Sequence, residues 1–376
     1  MVPMETTLRL RRPLMPPMGP VTEASLFFGS PGAPPPPVDP RVWAEEAGLL
    51  IKLRLAGLAI ATANGHSIGL PQNVLEPLRA AERREAATTL RLEAAMPSLV
   101  EMLSNDGIPV LVTKGPAVAR AYPSRGQRPF RDVDLLVQPE RLTRTLEVLR
   151  DAGFEEPPAL MQPRAYFGHL CREAVNLQDD HLIAVDLHHH IPPWVWGQRL
   201  SFETLVEARR TIPLDRGAVD VPGQAHSLLI GAMHIVSDLG RPGYELLVWR
   251  DLAVLAAEAD EDQIVWEARR LELEWLLALT LDHLPAYARP AELYQRLEGA
   301  LPSKRDAFRL RRIVPPARLA RHPIARAFRL PGKNAIAYIG GYAVPSRAFL
   351  RARYGSGGSL FRWWADTIRR LREASS

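Results

Sequence analysis

The sequence predicts an α+β fold, in which a small mixed β-sheet core is flanked by N-terminal helices and followed by a C-terminal helical region. Three observations predict it. Between about residues 80 and 220, short β-branched runs alternate with helical stretches. Upstream of them, apolar residues recur at helical spacing. After residue 224 the pattern is helical throughout.

Residues 1–40 are rich in proline and end in Pro34-Pro35-Pro36-Pro37, which predicts disordered or polyproline-like chain. Residues 42–63 read as one helix carrying Trp43, Leu49, Leu50, Leu53 and Leu58, with Gly57 its weak point. Residues 73–104 read as a second, with Leu92, Ala95, Leu99 and Met102 on one stripe. Pro77 marks its start and Pro97 is a point for a kink. Asn105-Asp106-Gly107 stops it, Gly107 supplying the left-handed cap. Strands are expected at 108–112, Val133–Val137, 181–189 and 210–214, with a helix over 139–150 ended by Gly153. Further helices are expected at 224–238, 244–259, 262–285, 290–299 and 303–312, and a last one carries Trp363 and Trp364 after a Gly/Ser patch. The expected division is a Pro-rich terminus (1–40), an N-terminal helical segment (41–104), an α/β core (105–222) and a helical C-terminal region (223–376) with a basic stretch over 304–333.

The composition, 47% hydrophobic and 24% charged, is that of a soluble globular chain. A net charge of +5 permits a phosphate-bearing or polyanionic ligand without demanding one. The single cysteine, Cys171, excludes an intrachain disulfide and a Cys-based zinc site and fits a reducing compartment. No run approaches the roughly 20 apolar residues that span a bilayer, and Arg9, Arg11 and Arg12 are not followed by a continuous apolar segment. The expected location is cytoplasmic.

The sharpest local feature is Arg131-Asp132-Val133-Asp134-Leu135-Leu136-Val137. Residues i and i+2 of a strand share a face, so Asp132 and Asp134 present two carboxylates side by side. Two such carboxylates repel each other and call for a counterion, and their hard oxygens suit Mg²⁺ or Mn²⁺. Asp186, in Val185-Asp186-Leu187, adds a third if its strand pairs beside the first. Three carboxylates can hold two metal ions about 3.5–4 Å apart, the arrangement of in-line phosphoryl transfer. Lys114-Gly115-Pro116 stands between a strand and the helical segment 117–121, where backbone N–H groups can approach phosphate.

These residues carry a resemblance. Thr113-Lys114-Gly115, Tyr122-Pro123, Arg128, Asp132-Val133-Asp134-Leu135-Leu136-Val137 and Gly153-Phe154 resemble the uncharacterised bacterial nucleotidyltransferase family of the DNA polymerase beta-like superfamily. Val185-Asp186-Leu187-His188 is similar to its "DLH" segment, and His234 with Arg250-Asp251-Leu252 to its helical "H…RD" signature. More loosely, Pro345-Ser346 and Arg351-Ala352-Arg353-Tyr354 resemble its C-terminal pattern, so the likeness spans roughly 42–365. The resemblance implies a minimal nucleotidyltransferase core with a helical appendage. It implies transfer of an NMP from ATP or another NTP to an unknown acceptor, with Mg²⁺. It implies metal binding by Asp132, Asp134 and Asp186, and modification of a peptide or small molecule is one acceptor chemistry it suggests. Where the wider superfamily carries Gly-Gly or Gly-Ser on its phosphate loop, this chain carries Lys114-Gly115.

Around that core, Lys114, Gly115, Arg128 and Arg131 are the expected nucleotide contacts, Arg120 and Arg125 being further members of the same basic cluster. His188 shares a strand face with Asp186 and is a candidate metal ligand, substrate contact or general base, His190 a weaker one. His234 is a candidate substrate contact, and a buried His234–Asp251 pair tying two helices is the structural alternative. Trp194 and Trp196 either wall a pocket or fill a core. Two other functions stay open: a binding or regulatory protein that keeps the fold without turnover, and a nucleic-acid binder using residues 304–333, which lack an interleaved aromatic platform.

Overall fold

The computed structural model of the protein describes residues 15–158, 160–164, 167, 171–238, 246–313, 327, 330 and 332–375. Four helices come first: α1 (Pro20–Leu26), α2 (Pro40–Lys52), α3 (Ala56–Gly65) and the long α4 (Gln72–Asn105). The central zone holds β1 (Val110–Val112), α5 (Pro116–Ala119), β2 (Val133–Val137), α6 (Leu142–Asp151), β3 (Ala174–Gln178), β4 (Ala184–His188), α7 (Trp194–Gly197), α8 (Phe202–Glu207), β5 (Arg210–Pro213) and β6 (Ala218–Val221). Helices follow: α9 (Gln224–Asp238), α10 (Leu247–Glu258), α11 (Glu261–Arg270), α12 (Glu274–Asp282), α13 (Ala291–Leu297), α14 (Lys304–Ile313), α15 (Gly332–Ala343), α16 (Arg347–Tyr354) and α17 (Leu360–Ser375).

The main sheet has the order β1-β2-β4-β3. β1 runs antiparallel to β2, β2 parallel to β4, and β3 antiparallel to β4, so the sheet is mixed and the fold is α+β, as the sequence predicts. β5 and β6 form a separate antiparallel pair. One apolar cluster joins the sheet to α4 and α6 through Val112, Leu135, Val185, Leu92, Met96 and Leu146. A second is helical and centres on Trp43, Trp196 and Trp249, all fully buried.

Several elements differ from expectation, each for a physical reason. The stretch 1–40 contains α1, whose Val21 and Leu26 are buried together with Phe27 just after it. Its cap is supplied from a distance: the Glu46 carboxylate accepts from the Val21 and Thr22 N–H groups at 3.2 and 2.8 Å. The single helix expected over 42–63 is two, and so is that over 262–285. The breaks fall at Leu53-Arg54-Leu55 and Leu271-Glu272-Leu273, with Arg54 at φ 60° and Glu272 at φ 54°. In each, the second leucine's N–H returns to a carbonyl five residues back (Leu55 to Leu50, Leu273 to Ala268, both 2.8 Å), the Schellman turn that usually takes glycine at its left-handed position. Burial of Leu55 and Leu273 stabilises the turn where a glycine is missing. β3 and β6 were not expected. β3 is an edge strand whose polar Asn176 and Gln178 dilute the β-branched signal, and β6 has only four residues. Pro77 and Pro97 both lie inside α4. Within the basic stretch 304–333, residues 314–326, with Arg318, Arg321 and Arg326, and Arg329 lie outside the described residues.

One close approach matters for the site. A Cβ on Gly57 would collide with the backbone carbonyl of Gly126, so α3 meets the turn Arg125–Gln127 this closely only because position 57 lacks a side chain. The glycine that weakens the helix signal therefore fixes the loop that leads into Arg128.

Candidate active site

β2 and β4 are adjacent and parallel, and their register sets Asp134 directly beside Asp186 and Leu136 beside His188. The three aspartates expected from the sequence line one cavity of about 390 Å³, together with Lys114 and Gly115 from the β1–α5 turn, Arg54 from the α2–α3 turn and His234 from α9. Gly115 adopts φ 54° as the residue before α5, a conformation glycine takes without strain.

Hydrogen bonds and charge order these carboxylates. His188 Nε2 lies 3.1 Å from Asp134 Oδ1 and 3.2 Å from Asp186 Oδ2, bridging the two strands. Lys114 Nζ is 3.3 Å from the same Asp134 oxygen. Asn176 of β3 donates to Asp186 Oδ1 at 2.8 Å and in turn accepts from Arg172 at 2.8 Å. Asp134 is buried, which opposes its ionisation, but Lys114 and His188 outweigh burial and hold its carboxyl well below the usual range. Asp132 has the opposite balance: burial and the neighbouring Asp134 and Asp186 charges push it up to about 6. Burial disfavours the His188 imidazolium, yet Asp186 and Asp134 raise it to about 10. Lys114 is likewise raised against its burial by Asp134 and Asp186. One lysine and one histidine thus offset part of the charge of the three carboxylates.

Among the described residues, Asp134, Asp186 and His188 form a group whose ligand atoms all lie within 4.8 Å of one another. Asp132 faces the same cavity without belonging to that compact set. The donors fit a hard divalent cation, since two carboxylates on neighbouring strands converge and a third stands near. The His188 nitrogen joins them as a ligand only once it gives up the proton with which it bridges Asp134 and Asp186.

The arginines separate into different roles. Arg128, expected as a nucleotide contact, is turned inward: its Nε and one terminal nitrogen donate to the two oxygens of Asp251, each at 2.7 Å, and the other donates to the Pro129 carbonyl at 2.8 Å. Tyr122 donates to the same Asp251 at 2.6 Å. The alternative of a His234–Asp251 pair is thereby set aside. Asp251 belongs to Arg128 and Tyr122, and His234 faces Asp238 one turn along α9 at 3.2 Å. Arg131 is mostly exposed, 3.8 Å from Glu85, at the cavity edge. Arg120 reaches the Pro213 carbonyl. His190 packs on Trp194 at 4.4 Å and Trp196 is core, its indole donating to Asp306 at 2.8 Å; none of these three lines the cavity.

Arg54 is the residue the sequence did not point to. It is only 8% exposed, and burial together with Arg128 and Arg131 lowers it to about 10. A charged residue between two buried leucines at a helix break is its one trace in the sequence, legible only once the turn is known.

No curated protein matches the chain. A crystal structure of an antigenic nucleotidyltransferase-like protein from Paracoccidioides brasiliensis is similar with a TM-score of 0.36 at 18% identity, over 57% of this chain and 95% of that one. Residues 39–288 match the family described as uncharacterised nucleotidyltransferase, a span that contains every residue of the cavity, and the chain belongs to that family.

Proposed function

We propose that the protein is a metal-dependent nucleotidyltransferase that moves an NMP from an NTP, ATP being the first candidate, to a hydroxyl, phosphate or carboxylate of an acceptor. The observation that carries this reading is the β2–β4 register, which brings Asp134 and Asp186 side by side in a cavity edged by Lys114 and Arg54. The sequence resemblance to the DNA polymerase beta-like superfamily points the same way.

In this reading Asp134, Asp186 and Asp132 hold Mg²⁺ or Mn²⁺, with His188 beside them. A bound divalent ion supplies Lewis-acid stabilisation of the phosphoryl oxygens and of the leaving pyrophosphate. Lys114 and Arg54 bind the triphosphate through charge-assisted hydrogen bonds, replacing the Gly-Gly contacts of other phosphate loops. His188 holds Asp134 and Asp186 in register and offsets their repulsion before substrate arrives. Buried Asp251 fixes the Arg128 loop, and so the cavity wall opposite α9.

The test is incubation of the full chain with labelled ATP and divalent metal, alone and with candidate peptides and small molecules, reading mass shifts on protein and acceptor. A mass increase of one nucleotide, lost in Asp134→Asn and Asp186→Asn, is expected. Nucleotide affinity that is the same in wild type and Asp134→Asn would sink the proposal.

A further inference from the structure

The charge of this chain is divided unevenly. Residues 304–376 carry 17 Lys and Arg against 3 Asp and Glu, a net of +14; with +5 for the whole chain, residues 1–303 carry −9. The family match ends at 288, so the basic region lies beyond it. This region also departs from a merely solvated surface. On α17, Phe361, Trp364 and Ile368 are 85%, 48% and 45% exposed. They stand at i, i+3 and i+7, one stripe of a helix, and Leu360 borders it, itself exposed. The opposite face is anchored: buried Trp363 packs on Phe349 at 5.2 Å and Tyr342 at 5.4 Å, and its indole donates to the Tyr342 carbonyl at 2.8 Å. Within the exposed stripe the Trp364 indole also donates to the Ala343 carbonyl at 3.0 Å, so Trp364 is partly docked and Phe361 is the most exposed of the three.

Beside it lies a cavity of about 610 Å³ lined by Arg164, Arg347 and Arg351, with Val344 and Leu360 at its apolar edge. Arg362 and Arg369 of α17 are exposed as well. Apolar side chains and arginines therefore share one surface.

We infer that α17 docks the protein on an anionic lipid surface, with Phe361, Trp364 and Ile368 entering the acyl boundary and the surrounding arginines meeting phosphate headgroups. An amphipathic helix with aromatic and aliphatic residues on one face and arginines at its flanks lies in the plane of such an interface. No helix among the described residues is long and apolar enough to cross a membrane, so the attachment is peripheral. Nucleic acid matches the charge and the rings of Phe361 and Trp364 but not the whole stripe, because Ile368 and Leu360 offer a base neither a stacking plane nor a hydrogen bond. Lipid matches both. The inference stands on the C-terminal helices and does not depend on the chemistry of the catalytic cavity.

The full chain would be sedimented with vesicles of phosphatidylcholine containing about a third phosphatidylglycerol, and with pure phosphatidylcholine. Binding to the anionic vesicles is expected, weakened by salt and by the neutral composition, with a blue shift of Trp364 emission that Trp364→Phe removes. Phe361→Ala with Trp364→Ala should lower binding about tenfold or more, and Arg347→Gln with Arg351→Gln should lower it by about as much again. All four positions are exposed, so the fold is expected to survive, and circular dichroism checks that it does. Binding unaffected by the Phe361/Trp364 pair, or none to anionic vesicles, overturns the inference. So does a duplex or single-stranded oligonucleotide that competes with the vesicles while the apolar substitutions have no effect, or a self-association of the chain that buries Trp364 without lipid.

Discussion

Two buried aspartates, Asp134 and Asp251, face the same cavity, and each is held by a cation and a third polar group. Asp251 is closed. Arg128 grips both of its oxygens and Tyr122 donates to one of them, and all three residues are buried. Asp134 is open to exchange. Its partners Lys114 and His188 meet a single oxygen, and two further carboxylates stand close by. A fork-shaped guanidinium saturates a carboxylate and makes a scaffold, whereas a lysine and a histidine leave a lone pair for an incoming cation. The contrast separates a carboxylate that holds the cavity wall from one left with room for a ligand.

The largest expected effect breaks the closed cluster. Asp251→Ala strands a buried guanidinium and should cost about 3–5 kcal/mol of stability, read as a lower thermal midpoint. Adding Arg128→Met should recover most of that loss, because it removes the stranded charge. If the double variant is no more stable than the single one, Asp251 contributes through something other than Arg128. Next, Asp134→Asn should reduce metal-dependent nucleotide affinity about a hundredfold by calorimetry, with a thermal midpoint much nearer wild type than that of Asp251→Ala. A midpoint as low as that of Asp251→Ala would erase the distinction between the two clusters.

A smaller effect is expected from Lys114→Gln and Arg54→Gln. Each should weaken nucleotide binding about tenfold, and more for a triphosphate than for a monophosphate. Equal losses for both ligands would place these cations away from the phosphates. The smallest effect lies outside the cavity. His226 is buried in α9, 3.3 Å from Glu267, and burial lowers its pKa despite that carboxylate. The unfolded chain therefore takes up a proton first as pH falls through about 6.5, so stability is full above that value and declines below it. Melting curves near pH 8 and pH 5.5 should show a larger acid loss in wild type than in His226→Gln.

Much of this was legible in the residues alone. The apolar run after Asp132 marked a strand and set Asp134 within it, because a strand repeats every two residues whatever surrounds it, but Asp132 precedes β2 and stands outside the compact group that Asp134 forms with Asp186 and His188. The break after Gly107, the helix over α4 and the α+β class followed from local signals of the same kind. The tertiary structure decided what those signals do not encode. Whether Asp186 stands beside Asp134 depends on strand order, which non-local pairing fixes. Whether an arginine is a ligand contact or a clamp depends on what packs across from it, and Asp251 lies 123 residues from Arg128. Arg54 entered the cavity through a left-handed turn stabilised by the burial of Leu55 rather than by a glycine. Local periodicity is a property of the chain; partnership between distant side chains is a property of the packed core, and only the fold brings it into being.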